Sequence, residues 1–144
     1  MTDTAALTTT RDLANRWIAA VAKGGLGGEA ALALTTADFK LNLPRSLSPY
    51  LGVSGLDTPR SALAGVEAAA RKLFDLDAVK VGRKVYDIFQ GDRGGVQYEI
   101  RLQAKRGAKP LDTVISLTFA RADDTLAAVW VHLDTSDLKL VLDA

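Results

Sequence analysis

Val96-Gln97-Tyr98-Glu99-Ile100-Arg101-Leu102-Gln103 alternates apolar and polar side chains without a break. Successive side chains of a strand point to opposite faces, so this stretch predicts a strand with Val96, Tyr98, Ile100 and Leu102 on one dry face. A strand that is dry on one side only belongs in an antiparallel sheet, because parallel sheets are covered on both faces. Working outward, Gly91-Asp92-Arg93-Gly94 supplies a turn, and residues 79–90 before it read as a partner strand, bulged near Gly82. Ile115, Leu117 and Phe119 repeat the alternation against Ser116 and Thr118. Asp123-Asp124 turns the chain again. Val129, Val131 and Leu133 then make the last dry face, opposite Trp130, His132 and Asp134.

The N-terminal half changes period. Leu13, Trp17, Ala20 and Val21 share one face at helical spacing, and Thr9 with Asp12 can cap the start. Gly24-Gly25 ends this helix. A second, short helix is expected from Glu29 to Leu34. Phe39, Leu41 and Leu43 alternate with Lys40 and Asn42, which predicts a strand that stops at Pro44. Residues 44–60, rich in Pro, Gly and Ser, read as a long loop able to cover a binding site. Asp57-Thr58-Pro59 reads as a helix start with Thr58 as cap, and the helix itself is expected from Ser61 to Phe74. A short tail is expected from Asp137 to Leu142. Helices followed by antiparallel strands make an α+β domain, a curved antiparallel sheet packed on three helices. The reading is one domain over residues 1–144, with a loose tail at 1–8.

Composition removes several function classes. The chain has 144 residues, no Cys and one His, His132. Disulfides, thiolate nucleophiles and metal sites with two His ligands are therefore excluded. Neither a metal nor a cofactor is expected. Eighteen Lys and Arg against 17 Asp and Glu leave a net charge of +1, too little to attract nucleic acid or a membrane. Arg101, Lys105, Arg106 and Lys109 surround Gly107 and Pro110 and read as a solvated hairpin tip. The start of the chain lacks the basic and apolar regions of a signal peptide. The longest apolar run, Leu126 to Val131, has six residues, far short of a membrane span. A cytoplasmic protein is the expectation.

Several passages resemble the NTF2-like superfamily, which includes SnoaL-like polyketide cyclases and ketosteroid isomerases. Arg16-Trp17-Ile18-Ala19-Ala20-Val21-Ala22-Lys23-Gly24 looks like the first helix of ketosteroid isomerase. Leu32-Ala33-Leu34 through Leu43-Pro44 looks like the family's short helix and first strand. Gly65-Val66-Glu67-Ala68 looks like its glycine-led third helix, and Val131-His132-Leu133-Asp134 like its last strand. The resemblance covers residues 11–138 and implies a cone-shaped fold around a cavity. It also implies where chemistry should sit. The isomerase base falls on Leu43, its tyrosine donor on Trp17, and its second acid near Ile115 or Ser116. Leu43 cannot carry a proton, and the Trp17 indole can donate a hydrogen bond but reads more simply as a core anchor, so the isomerase machinery looks absent. For limonene-type epoxide hydrolysis, Arg101 lies near the family's Arg, but Gln103 and Val131 stand where the two Asp residues are expected.

The remaining expectation is an apolar pocket lined by Trp17, Phe39, Leu41, Leu43, Tyr98, Ile100, Leu117 and Val131. Apolar walls with a few polar groups are the usual make-up of a ligand site. Tyr50, in the covering loop, and Tyr98, on the dry face, are the candidate proton donors. His132 has the right chemistry but the parity of the wet face. The expected function is a small-molecule binding protein, with cyclase, isomerase or dehydratase chemistry on a polyketide- or terpenoid-like substrate open to it. The alternative is a non-catalytic homodimeric scaffold or interaction domain. A homodimer through the wet sheet face is expected either way, since Trp130 there needs cover.

Overall fold

The computed structural model of the chain describes residues 9–52, 57–105 and 109–142. The tail expected at 1–8, residues 53–56 of the expected covering loop and residues 106–108 of the expected hairpin tip lie outside the described residues. Helix α1 spans Thr10–Gly24. It starts where expected, because the Thr9 hydroxyl accepts from the Asp12 amide at 3.1 Å while Asp12 accepts from the Thr9 amide. Such a cap contributes about 1 kcal/mol. It stops where expected, because Gly25 takes a φ of +88° and its amide returns to the Val21 carbonyl. Helix α2 is shorter than its pattern, Glu29–Leu32.

Strand β1 spans Thr35–Asn42 and begins earlier than the apolar alternation alone predicts. The segment expected to be a long loop carries more structure. Residues Arg45–Leu47 form a 3₁₀ turn, Ser48–Leu51 a short helix α3, and Thr58–Pro59 a two-residue strand β2. Thr58 is thus not a helix cap. It pairs with Leu41 in the sheet, and α4 (Leu63–Leu73) starts only after another 3₁₀ turn at Arg60–Ala62. Strands β3 (Lys80–Gln90), β4 (Arg93–Gln103), β5 (Pro110–Ala122) and β6 (Thr125–Leu133) follow. The expected tail after them is a helix, α5 (Thr135–Leu142), whose Leu138 is buried.

The six strands lie in the order β2-β1-β6-β5-β4-β3. Neighbours are antiparallel except β1 and β6, which run parallel, so the sheet is mixed at that junction. Two apolar clusters cover its inner face. One joins α1 and α2 to the sheet through Leu13, Trp17, Phe39, Phe119, Leu126 and Val129. Its centre is the edge of Trp17 against Phe119, ring centroids 6.0 Å apart at 78°. The other joins α4 and α5 to the far end of β4 through Leu47, Phe74, Ile100, Leu102, Ala104 and Leu138. Each fully buried large apolar side chain contributes about 1.5–3 kcal/mol. Among the described residues no helix is long and apolar enough to cross a membrane.

Candidate functional site

Register across the sheet fixes which side chains share the inner face, since directly paired residues point the same way. Val96 pairs with Leu117, and Leu117 with Val131. Tyr98 pairs with Ile115, and Ile115 with Leu133. The dry face is therefore the one that meets the helices, as its alternation predicts. His132 pairs with Ser116 on the other face and is exposed.

The expected lining residues fall into two groups. Trp17, Phe39, Leu41 and Leu117 are buried within the first cluster, and Ile100 within the second. Leu43, Tyr98 and Val131 are half-buried around the first. Tyr98 also packs against the second cluster, where Tyr50 joins it. The fold thus brings the two candidate tyrosines to one cluster and sends the third candidate, His132, to the outer surface.

Between the clusters runs a row of partly exposed side chains. Tyr98, Ile115 and Leu133 are side by side on three strands, and each is half-buried. The flanking inner positions on β4, Val96 and Ile100, are both buried. Tyr98 and Ile115 pack against both clusters, and neither cluster covers them fully. Two open hollows lie elsewhere on the molecule. One, of about 550 Å³, sits over Gly82 and Val114, and one, of about 670 Å³, sits beside Thr10, Arg11 and Phe89. Their rims are largely solvent-exposed, and neither includes Tyr98. The central row has the stronger case because its partners converge on one phenol.

The row continues to the sheet edge with a residue that the sequence reading did not single out. Strand β3 has extra residues between Val81 and Lys84 and between Lys84 and Tyr86. The first is the bulge expected near Gly82. The second turns Lys84 to the inner face, opposite Tyr98, while Asp87 stays inner, opposite Val96. The Lys84 ammonium lies 3.1 Å from Asp87 Oδ2 and 5.7 Å from the centre of the Tyr98 ring. Asp87 Oδ1 accepts from Arg11 of α1, and the Arg11 guanidinium rests over Phe89. The bond from Arg11, then that from Lys84, holds the Asp87 carboxyl below the ordinary carboxylate range. The bond to Asp87, then the nearby Tyr98 phenol, raises Lys84 above an ordinary lysine.

Asp87 had a signal in the sequence. Counting back two from the apolar Phe89 puts it on the inner face. Lys84 had none, because the bulge that turns it is set by pairing with β4. Among the described residues no three His, Asp or Glu side chains gather as a metal site requires. At Asp87 itself both carboxylate oxygens are held by cations.

No protein-family model matches the sequence, and no curated protein matches it. Solved structures do match in three dimensions. An NTF2-like protein of unknown function from Burkholderia pseudomallei is similar over 94% of this chain and 98% of its own, with a TM-score of 0.80 at 16% identity. TerC, co-crystallised with polyporic acid, covers the same shares at 0.78 and 13%. A SnoaL-like polyketide cyclase structure from Jannaschia covers 95% of this chain and 94% of its own at 0.71 and 11%. At such identities the likeness speaks for architecture, and it agrees with the strand order and the helices packed on the sheet: the chain has the NTF2-like fold.

Proposed function

We propose that the protein is a SnoaL-like small-molecule binding protein that takes an apolar ligand in the cleft over Tyr98, Ile115 and Leu133. The observation that carries this reading is the half-buried row itself, flanked along β4 by buried residues. An apolar ligand laid on this row would bury the apolar surface that the two clusters leave exposed. Neighbours of the same fold support it: one was co-crystallised with polyporic acid, and another, with a ketosteroid isomerase-like fold, is in complex with trimethylamine. Catalysis of the cyclase, isomerase or dehydratase type would draw its proton from Tyr98 or Tyr50. With Asp87 held by two cations, binding is the primary role. Titration with the neutral fluorophore N-phenyl-1-naphthylamine tests this. Saturable binding that Ile115→Trp abolishes is expected. No binding, or binding indifferent to that substitution, overturns the reading.

The scaffold reading has its own observation. Tyr86, Ile88 and Val114 are exposed apolar residues, and Tyr86 and Val114 pair with Gln97 and Glu99 of the outer face. Trp130 on that face is stacked by Arg93, 5.8 Å from its ring centre. A homodimer would cover this surface. Sedimentation should then give a dimer that Ile88→Glu splits; a wild-type monomer counts against it.

A further inference from the structure

We propose that the cleft selects ligands with one oxyacid head, bound at Lys84, and an apolar body laid along Tyr98, Ile115 and Leu133. This rests on the cleft reading above and adds the ligand's charge and orientation. Lys84, Tyr98, Ile115 and Leu133 form one continuous row across β3, β4, β5 and β6. Three steps between strands make it about 14 Å long. One end is an ammonium and the rest is apolar, apart from one phenol.

The charge balance points the same way. Arg11 and Lys84 share the single carboxylate of Asp87, so the cluster keeps one positive charge on the inner face. An ammonium has three donors. Asp87 takes one of them, the Tyr98 ring centre lies 5.7 Å away, and the Lys84 side chain remains 40% exposed. A carboxylate, sulfonate or phenolate at that point gains a charge-assisted hydrogen bond. An apolar cation or a neutral lipid would leave the charge unanswered. The bulge at Val85 serves this arrangement, because without it Lys84 would face outward with Tyr86.

Two probes with one skeleton test it: 1-anilinonaphthalene-8-sulfonate, which is anionic, and N-phenyl-1-naphthylamine, which is neutral. Wild-type protein should bind the anion more tightly, with an affinity that falls as salt rises. Lys84→Met should weaken the anion about five- to tenfold, one charge-assisted bond at a half-exposed site. It should leave the neutral probe within about twofold. Lys84→Arg should restore the anion's preference. Anion binding unchanged in Lys84→Met and in Lys84→Gln overturns the proposal, and neutral-probe binding that persists then keeps the cleft. Lys84-dependent anion binding with no neutral-probe binding keeps the anion site and overturns the apolar cleft.

Discussion

Arg11 and Asp87 stand 76 residues apart in sequence and meet with Nη2 and Oδ1 2.7 Å apart. This pair ties the first turn of α1 to the edge strand β3. The Arg11 bond, then the Lys84 bond, lowers the carboxyl from its ordinary 3.8. A lowered carboxylate stabilises the native state above its unfolded value, and the contribution disappears as pH falls through the lower folded one. Asp87→Asn should therefore lose about 0.5–1 kcal/mol at pH 7, as partly exposed pairs do. Urea midpoints taken at decreasing pH should converge with wild type below pH 3.8. A gap constant with pH would mean that the charge contributes nothing.

Two adjacent glycines should respond differently to alanine. Gly25 has φ +88°, and the Glu67 carboxylate occupies the space that a Cβ would need. Glu67 is held there by the Leu26 amide at 2.7 Å. Gly25→Ala should cost about 1–3 kcal/mol. Gly24 has open space around its Cβ position, so Gly24→Ala should be neutral or gain up to about 1 kcal/mol. Thermal melts of both variants check the contrast.

Leu138 should matter despite its place near the end of the chain. It is 1% exposed and packs with Phe74, Ile100 and Leu102. Leu138→Ala should cost about 2–4 kcal/mol and expose α5 to rapid amide exchange. Leu140 on the same helix is 74% exposed, so Leu140→Ala should change little.

Phe89 covers Gly94 on the neighbouring strand, and a Cβ there would collide with its ring. The ring also meets Phe119 at 6.3 Å and lies under Arg11. Gly94→Ala should displace Phe89, cost about 1–3 kcal/mol, and weaken the hold of Arg11 on Asp87. The measurable sign is a shift of the Asp87 carboxyl back toward 3.8 in a carbon-detected NMR titration.

Local rules carried the strands furthest. The alternation from Val96 to Gln103 set the inner face of β4, and pairing carried that parity to Leu117 and Val131. Thr9, Asp12 and Gly25 set the ends of α1, because caps depend on residues within one turn. Where the pattern was weak, the fold overrode it. Thr58 and Pro59 look like a helix start, yet they pair with β1. The segment Thr135–Leu142 shows little periodicity, and burial of Leu138 supports it as a helix.

The amino-acid order alone determined the α+β class, the dry side of the sheet and the absence of thiol chemistry. Those follow from side-chain period and residue inventory, which need no partner. Only the tertiary structure decided that Lys84 looks inward, that Asp87 is shared by two cations, and that Tyr98 stays half-buried between two apolar clusters. Each depends on how β3 is threaded beside β4 and how far the helices reach across the face. Extra residues in a strand are costless to read past in sequence, but once paired they rotate every side chain between them.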